Sequence, residues 1–207
     1  MTTRRTLCGW FNFEERFAPQ EALAAMLAGE RLAPDEMSVQ TTERGAIASS
    51  RSDCSAATDL GSGCIAAVLG RPRWADAALQ ARARSEGHAA AVLAAYREAG
   101  NAFLETLGGN FALVLMDERR ARVLLAVDRC GTERLCFARA GNTLAFSTSA
   151  RAVARHPQVA AGLSRQAIYE YLYCHMVPSP DTVFDGVEKL LPAQCLVFER
   201  GETSRRH

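Results

Sequence analysis

From residue 110 onward this chain alternates short apolar runs with turn residues, and that rhythm limits its fold more than anything else in it. Residues 110–116 read as a strand buried on both faces. Residues 117–121 are a turn and residues 123–127 a returning strand. Residues 135–139 and 143–147 flank Ala140-Gly141-Asn142, where Gly and Asn supply the backbone freedom of a hairpin turn. Residues 194–199, introduced by Leu191-Pro192, form a last strand. Such a meander demands antiparallel sheets with apolar faces, and those faces need covers.

The covers come from the helical stretches. Residues 19–29 carry helical apolar spacing and end in Gly. Residues 74–98 read as one or two helices, with the break at Ser85-Glu86-Gly87. Residues 103–107 form a short helical piece ended by Gly108-Gly109. Ser164 caps a helix that runs to about Tyr173. Near the start, residues 6–13 read as a strand entering a turn. Residues 64–69 form a short buried strand ended by Gly70 and Pro72. Residues 30–61 are poor in apolar residues, with short strands around 45–48.

Composition narrows the function classes. A net charge of +1 gives no electrostatic reason to expect nucleic acid or a membrane surface as partner. No apolar run approaches the ~18–20 residues of a membrane span, and the first ten residues hold no hydrophobic signal region. The seven cysteines are odd in number and show no CxxC spacing, which fits reduced thiols and a cytoplasmic protein. Cys174-His175 is a sequence neighbour pair, not a metal or nucleophile–base arrangement. Lys189 is the one lysine beside 23 arginines, which reads as codon bias.

The order of segments after residue 101 carries more. Phe103-Leu-Glu-Thr-Leu-Gly-Gly-Asn-Phe-Ala-Leu113 precedes Asp128-Arg129-Cys130-Gly131. Thr143-Leu-Ala-Phe-Ser147 and Thr182-Val-Phe-Asp-Gly-Val-Glu-Lys-Leu190 follow, and Cys8-Gly9 stands near the start. This pattern resembles the glutaminase domain of asparagine synthetases and their relatives, the class II glutamine amidotransferases. The resemblance is strong from residue 101 and weak between 30 and 95. It implies an α+β fold: a four-layer α/β/β/α sandwich of two antiparallel sheets, the N-terminal-nucleophile hydrolase fold. It also implies a cysteine nucleophile whose own free α-amine is the general base, acting on the side-chain amide of glutamine. An α-amine titrates near ~8 and suits that work; a peptide nitrogen does not. The ammonia released would pass to an ATP-dependent synthetase domain or subunit, and no cofactor is needed in this chain.

The resemblance places Cys8 as the nucleophile, and four departures accompany it. Residues 1–7 precede Cys8 and form an N-terminal extension or propeptide; either they are cleaved or translation starts at Leu7. Residues 8–203 form the glutaminase-like domain. Val68-Leu69-Gly70-Arg71 stands where the family has Asn-Gly-Glu. Gly70 can still offer its N–H to an oxyanion, but Leu69 cannot replace an amide donor, a loss of about 10²–10³ in rate. His88 falls where the family has the Asp that holds the substrate's amino group. Arg51 matches the Arg that binds the substrate carboxylate. The pyrophosphate loop of a synthetase domain is absent from these residues.

Two functions follow as expectations. In the first, the pocket is degenerate and the domain is a non-catalytic partner of an ATP-dependent amide-forming synthetase. In the second, it is an active glutaminase that uses Cys8 once residues 1–7 are removed. Asp128 and Gly131 are expected to shape a loop, not to react.

Overall fold

The computed structural model of the chain describes residues 5–14, 19–28, 30, 36–51, 54–59, 61–159, 161–199 and 202–206. In chain order the strands are β1 (Leu7–Asn12), β2 (Met37–Thr41), β3 (Gly45–Ser50), β4 (Cys54–Asp59), β5 (Cys64–Trp74) and β6 (Leu107–Asp117). They continue as β7 (Arg122–Val127), β8 (Cys136–Ala140), β9 (Thr143–Ser147), β10 (Glu188–Lys189), β11 (Cys195–Glu199) and β12 (Glu202–Arg206). The helices are α1 (Pro19–Leu27), α2 (Ala77–Glu86), α3 (His88–Ala99), α4 (Ala150–Ala154) and α5 (Arg165–Cys174). Gly100–Thr106 is a 3-10 helix.

The strands form two six-stranded sheets, ordered β10-β8-β9-β1-β3-β2 and β12-β11-β7-β6-β5-β4, with every described pairing antiparallel. Side chains alternate across each strand, so each sheet has two faces to cover. Phe11, Ile47 and Phe146 of the first sheet meet Ile65, Met116 and Leu125 of the second in one core. The outer face of the second sheet packs Leu113, Leu115 and Val197 against Val92 and Tyr96 of α3. The outer face of the first packs Trp10 and Ala145 against Ala22 and Met26 of α1 and Val153 of α4. Four layers result: helix, sheet, sheet, helix. Each fully buried Leu, Ile or Phe in them contributes roughly 1.5–3 kcal/mol.

Several local expectations need correcting. The buried strand does not end at Gly70 and Pro72: β5 runs on to Trp74, paired with β6 throughout. Among the described residues its other partner, β4, reaches only as far as Cys54 opposite Leu69, and beyond Leu69 β6 alone lies beside β5. A proline that donates no hydrogen bond is tolerated at such an edge. Gly108-Gly109 does not end a helix but lies within β6. A Cβ on Gly109 would stand 2.6 Å from the Arg71 carbonyl oxygen, and its φ of +81° suits glycine. β2, β4, α4 and β12 were not anticipated, and the pairing of β12 with β11 carries the sheet to Arg206. The helix break falls at Gly87, with φ of +93°. Ser164 caps α5 by accepting a hydrogen bond from the Ala167 N–H at 3.3 Å. Gly29, expected to end α1, and residues 1–4 of the expected extension lie outside the described residues. His175 ends α5 in the left-handed conformation. No helix among the described residues is long and apolar enough to cross a membrane.

Candidate functional site

β1 lies inside its sheet, between β9 and β3, so its backbone is paired on both sides. Cys8 stands opposite Ser147 on one side and Ala48 on the other. The period of two then sorts the side chains. Leu7 and Phe11 enter the core between the sheets, whereas Cys8 and Trp10 enter the layer beneath α1 and α4. Cys8 is fully buried there. Burial pushes its thiol up to about 12, a bond to Ser147 works against that rise, and Glu30 adds to it.

The residues ahead of Cys8 continue the strand's bonding. The Leu7 carbonyl accepts from the Thr148 N–H at 2.8 Å, and the Leu7 N–H donates to the Thr148 hydroxyl at 3.3 Å. The Thr6 carbonyl accepts from the Ser50 N–H at 2.8 Å, and the Thr6 N–H donates to the Ser50 hydroxyl at 3.2 Å. Arg5 forms an ion pair with Glu133 at 2.9 Å. Leu7 and Thr6 are buried. The nitrogen of Cys8 is a peptide nitrogen in a sheet, with no basic lone pair.

The other residues singled out from the sequence do not gather at one place. Leu69 faces the core between the sheets, as Leu7 does, and stands opposite Cys54. The side chain that shares the interior with Leu69 is therefore that of Leu7, not the thiol of Cys8. Gly70 has φ of +101°, and a Cβ there would collide with the Asn110 carbonyl. Arg51 follows β3; its backbone N–H donates to the Glu36 carbonyl at 2.9 Å, and its side chain is exposed. His88 opens α3 on the far side of the second sheet. Its Nδ1 accepts from the Trp74 indole N–H at 3.4 Å, and burial lowers its pKa. A neutral imidazole that accepts a hydrogen bond supplies no fixed negative charge. β4 links two of these places: Cys54 faces Leu69, and the Ser55 hydroxyl accepts from the Ala89 N–H at 3.0 Å.

The loop after β7 is built on Asp128. Its carboxylate accepts backbone N–H bonds from Phe111, Cys130, Thr132 and Glu133 at 2.9–3.3 Å. Burial alone would raise its pKa; the four backbone donors outweigh that and hold it low. Gly131, at φ of +62°, lies against Pro192, where a Cβ would come within 3.0 Å of the ring. Both residues shape the loop.

A cleft of about 780 Å³ opens where the sandwich ends. Arg5, Thr6 and Leu69 form one wall, Thr148–Arg151 another, and Lys189 with the end of α5 a third. The sequence reading missed this cleft. The one signal for it was the single lysine, Lys189, in a chain that otherwise uses arginine.

Comparison with known proteins bears on the family and the fold. The sequence model described as a glutamine amidotransferase domain matches residues 73–207. The chain is 28% identical over 98 residues to asparagine synthetase [glutamine-hydrolyzing] 3 of Bacillus subtilis, covering 47% of this chain and 16% of that protein. It is 31% identical over 118 residues to the amidase chry2 of Gibberella zeae, covering 56% of this chain and 17% of that protein. The chain thus spans less than a fifth of the length of either curated relative. Among solved structures, the allosteric regulatory enzyme of purine biosynthesis superposes with a TM-score of 0.54 at 11% identity, covering 98% of this chain and 48% of that one. The glutamine phosphoribosylpyrophosphate amidotransferase of B. subtilis gives a TM-score of 0.52 at 11% identity, covering 98% and 49%. At that identity the likeness is one of fold.

Proposed function

This chain belongs to the glutamine amidotransferase domain family, class II, with its two-sheet N-terminal-nucleophile fold, and from that premise we propose that it is a degenerate member that does not hydrolyse glutamine. Its role is that of a non-catalytic partner to an ATP-dependent amide-forming synthetase.

The observation that carries this reading is the state of Cys8. Amide hydrolysis of this class needs a thiolate beside a base, aimed at a substrate held by an oxyanion hole. With residues 1–7 in place, Cys8 has a peptide nitrogen in place of an amine, and a fully buried thiol pushed up to about 12. Leu69 offers no donor to an oxyanion, and His88 is held toward neutrality by burial. The retained Cys8-Gly9 pair has a packing explanation. A Cβ on Gly9 would meet the Ala46 carbonyl and come within 2.7 Å of the Phe146 ring, so glycine is required there whatever the chemistry. The partner reading is supported by α5, which leaves Tyr169, Leu172 and Tyr173 62%, 71% and 77% exposed. An apolar face of that kind marks a protein contact.

The test compares ammonia release from glutamine by three proteins: the full chain, a chain beginning at Cys8, and that shorter chain with Cys8→Ala. Circular dichroism checks that each is folded. The expected result is no turnover above the Cys8→Ala background, with an ATP-using protein co-purifying from the native host. Glutamine hydrolysis by the chain that begins at Cys8, abolished by Cys8→Ala, would establish an active glutaminase instead.

A further inference from the structure

The cleft at the end of the sandwich is unevenly charged. Arg5, Arg134, Arg151 and Lys189 line it, against Glu30 and Glu133. Glu133 is engaged by Arg5 at 2.9 Å. Among the described residues, neither Arg134 nor Arg151 has a carboxylate partner, and Lys189 donates to a neutral acceptor, the Val177 carbonyl, at 3.0 Å. That bond fixes the ammonium and leaves further N–H donors on it. Lys189 is half-buried, so its charge is screened less than that of a surface lysine.

The register brings these charges together. Lys189 stands opposite Cys136 across β10 and β8, and Arg134 lies two residues ahead of Cys136 in sequence. The buried thiol of Cys136 feels both: burial pushes it up to about 11, and Lys189 and Arg134 pull against that rise. Arg151 reaches the same cleft from α4, and the hydroxyl-bearing residues Thr148 and Ser149 line it as well. The far rim is apolar. Tyr171, Met176 and Val183 line it and are 57%, 59% and 40% exposed.

We propose that this cleft binds an organic acid, its carboxylate held between Lys189, Arg134 and Arg151 and its apolar body lying on Tyr171, Met176 and Val183. Guanidinium and ammonium groups without carboxylate partners are the donors a carboxylate needs, and Arg presents them as a planar fork. The apolar rim favours an acid with a hydrocarbon body over a bare inorganic anion, because burying exposed apolar surface adds to the ionic contact. This proposal rests on the cleft alone and does not require that Cys8 be active or inactive.

The single lysine gives a one-site readout. Acetylation of Lys189 by a mild acylating reagent is followed by peptide mass spectrometry in the full chain. The added probes are 4-phenylbutyrate, acetate or inorganic phosphate, all at matched ionic strength. Saturable protection by 4-phenylbutyrate is expected, slowing Lys189 acetylation about tenfold when nine-tenths of the sites are filled. Acetate should protect more weakly. In an Arg134→Gln/Arg151→Gln variant the protection factor should fall toward one; both residues are exposed, so the fold should be kept. No protection by 4-phenylbutyrate overturns the proposal, as does protection undiminished in the double variant. Phosphate protecting better than 4-phenylbutyrate overturns the assignment to an organic acid.

Discussion

Leu7 and Cys8, neighbours in β1, send their side chains into different cores: Leu7 into the space between the sheets, Cys8 into the layer beneath α1 and α4. The residues ahead of Cys8 are thereby part of the sandwich. Removing residues 1–7 takes away a fully buried leucine together with the backbone bonds to Ser50 and Thr148. The shortened chain should lose about 2–5 kcal/mol, the range for large core truncations. Urea denaturation of both chains measures it; equal midpoints would mean that residues 5–7 contribute nothing to the fold.

Gly9 fits against the ring of Phe146 with no room for a methyl group. Gly9→Ala must push either the β3 backbone or the ring, at a cost above about 2 kcal/mol. Gly162 is the control: a Cβ there meets nothing within 4 Å, and Gly162→Ala should be nearly neutral. Thermal unfolding of the two variants should separate them by several degrees.

None of the seven cysteines forms a disulfide, yet their thiols should not react alike. Cys130 and Cys174 are exposed, whereas Cys8 is fully buried with its thiol pushed up to about 12. Thiolate is the reactive form, so iodoacetamide at neutral pH should label Cys130 and Cys174 first. Cys8 should be labelled only on unfolding. Peptide mapping after timed alkylation reads this directly, and early labelling of Cys8 would show a thiol far more reactive than its burial allows.

His156 is 1% exposed, packs on Trp10 with ring centroids 5.7 Å apart, and its Nε2 has no partner among the described residues. Burial lowers its pKa from 6.5 to about 4. The unfolded chain therefore binds a proton that the folded chain refuses between those values. Stability from this group is complete above pH 6.5 and is lost as pH falls toward 4, by on the order of 3 kcal/mol. Asp128, with its pKa held below 3.8, keeps its contribution through this window and loses it only at lower pH. Urea melts at pH 7, 5.5 and 4.5 should show the decline, and His156→Leu should flatten it.

Much of the second sheet was readable because its strands are neighbours in sequence and buried on both faces. Residues 110–116 and 123–127 leave no polar face to confuse the pattern, and Gly141-Asn142 marks the β8–β9 turn without ambiguity. β4 was hidden because Cys54-Ser-Ala-Ala-Thr-Asp59 is half-buried throughout and shows no alternation. The full length of β5 was hidden because Gly70 and Pro72 are breakers in most settings, and only the end of β4 makes them tolerable. At the candidate site, the sequence pointed to Cys8 but not to its direction. Leu7, Cys8, Trp10 and Phe11 are all apolar and all buried, so the pattern does not say which face of β1 lies inside. Arg134, Arg151 and Lys189 are scattered along the chain; the register of β8 and β10 sets Lys189 near Arg134, and the placement of α4 adds Arg151.

The place of β1 between β3 and β9 also sets an order of events. The second sheet contains β4, β5, β6 and β7 side by side in chain order, so those four strands can pair as they emerge during synthesis. β1 precedes the other described strands, yet the partner that lies against Cys8 on one flank is Ser147. β3 can pair with one flank of β1 early, but the other flank must wait for β9, far along the chain. Contacts of such long sequence separation slow folding and lengthen the exposure of sticky surface. The flank of β1 that carries β9 is thus among the last joins of the first sheet.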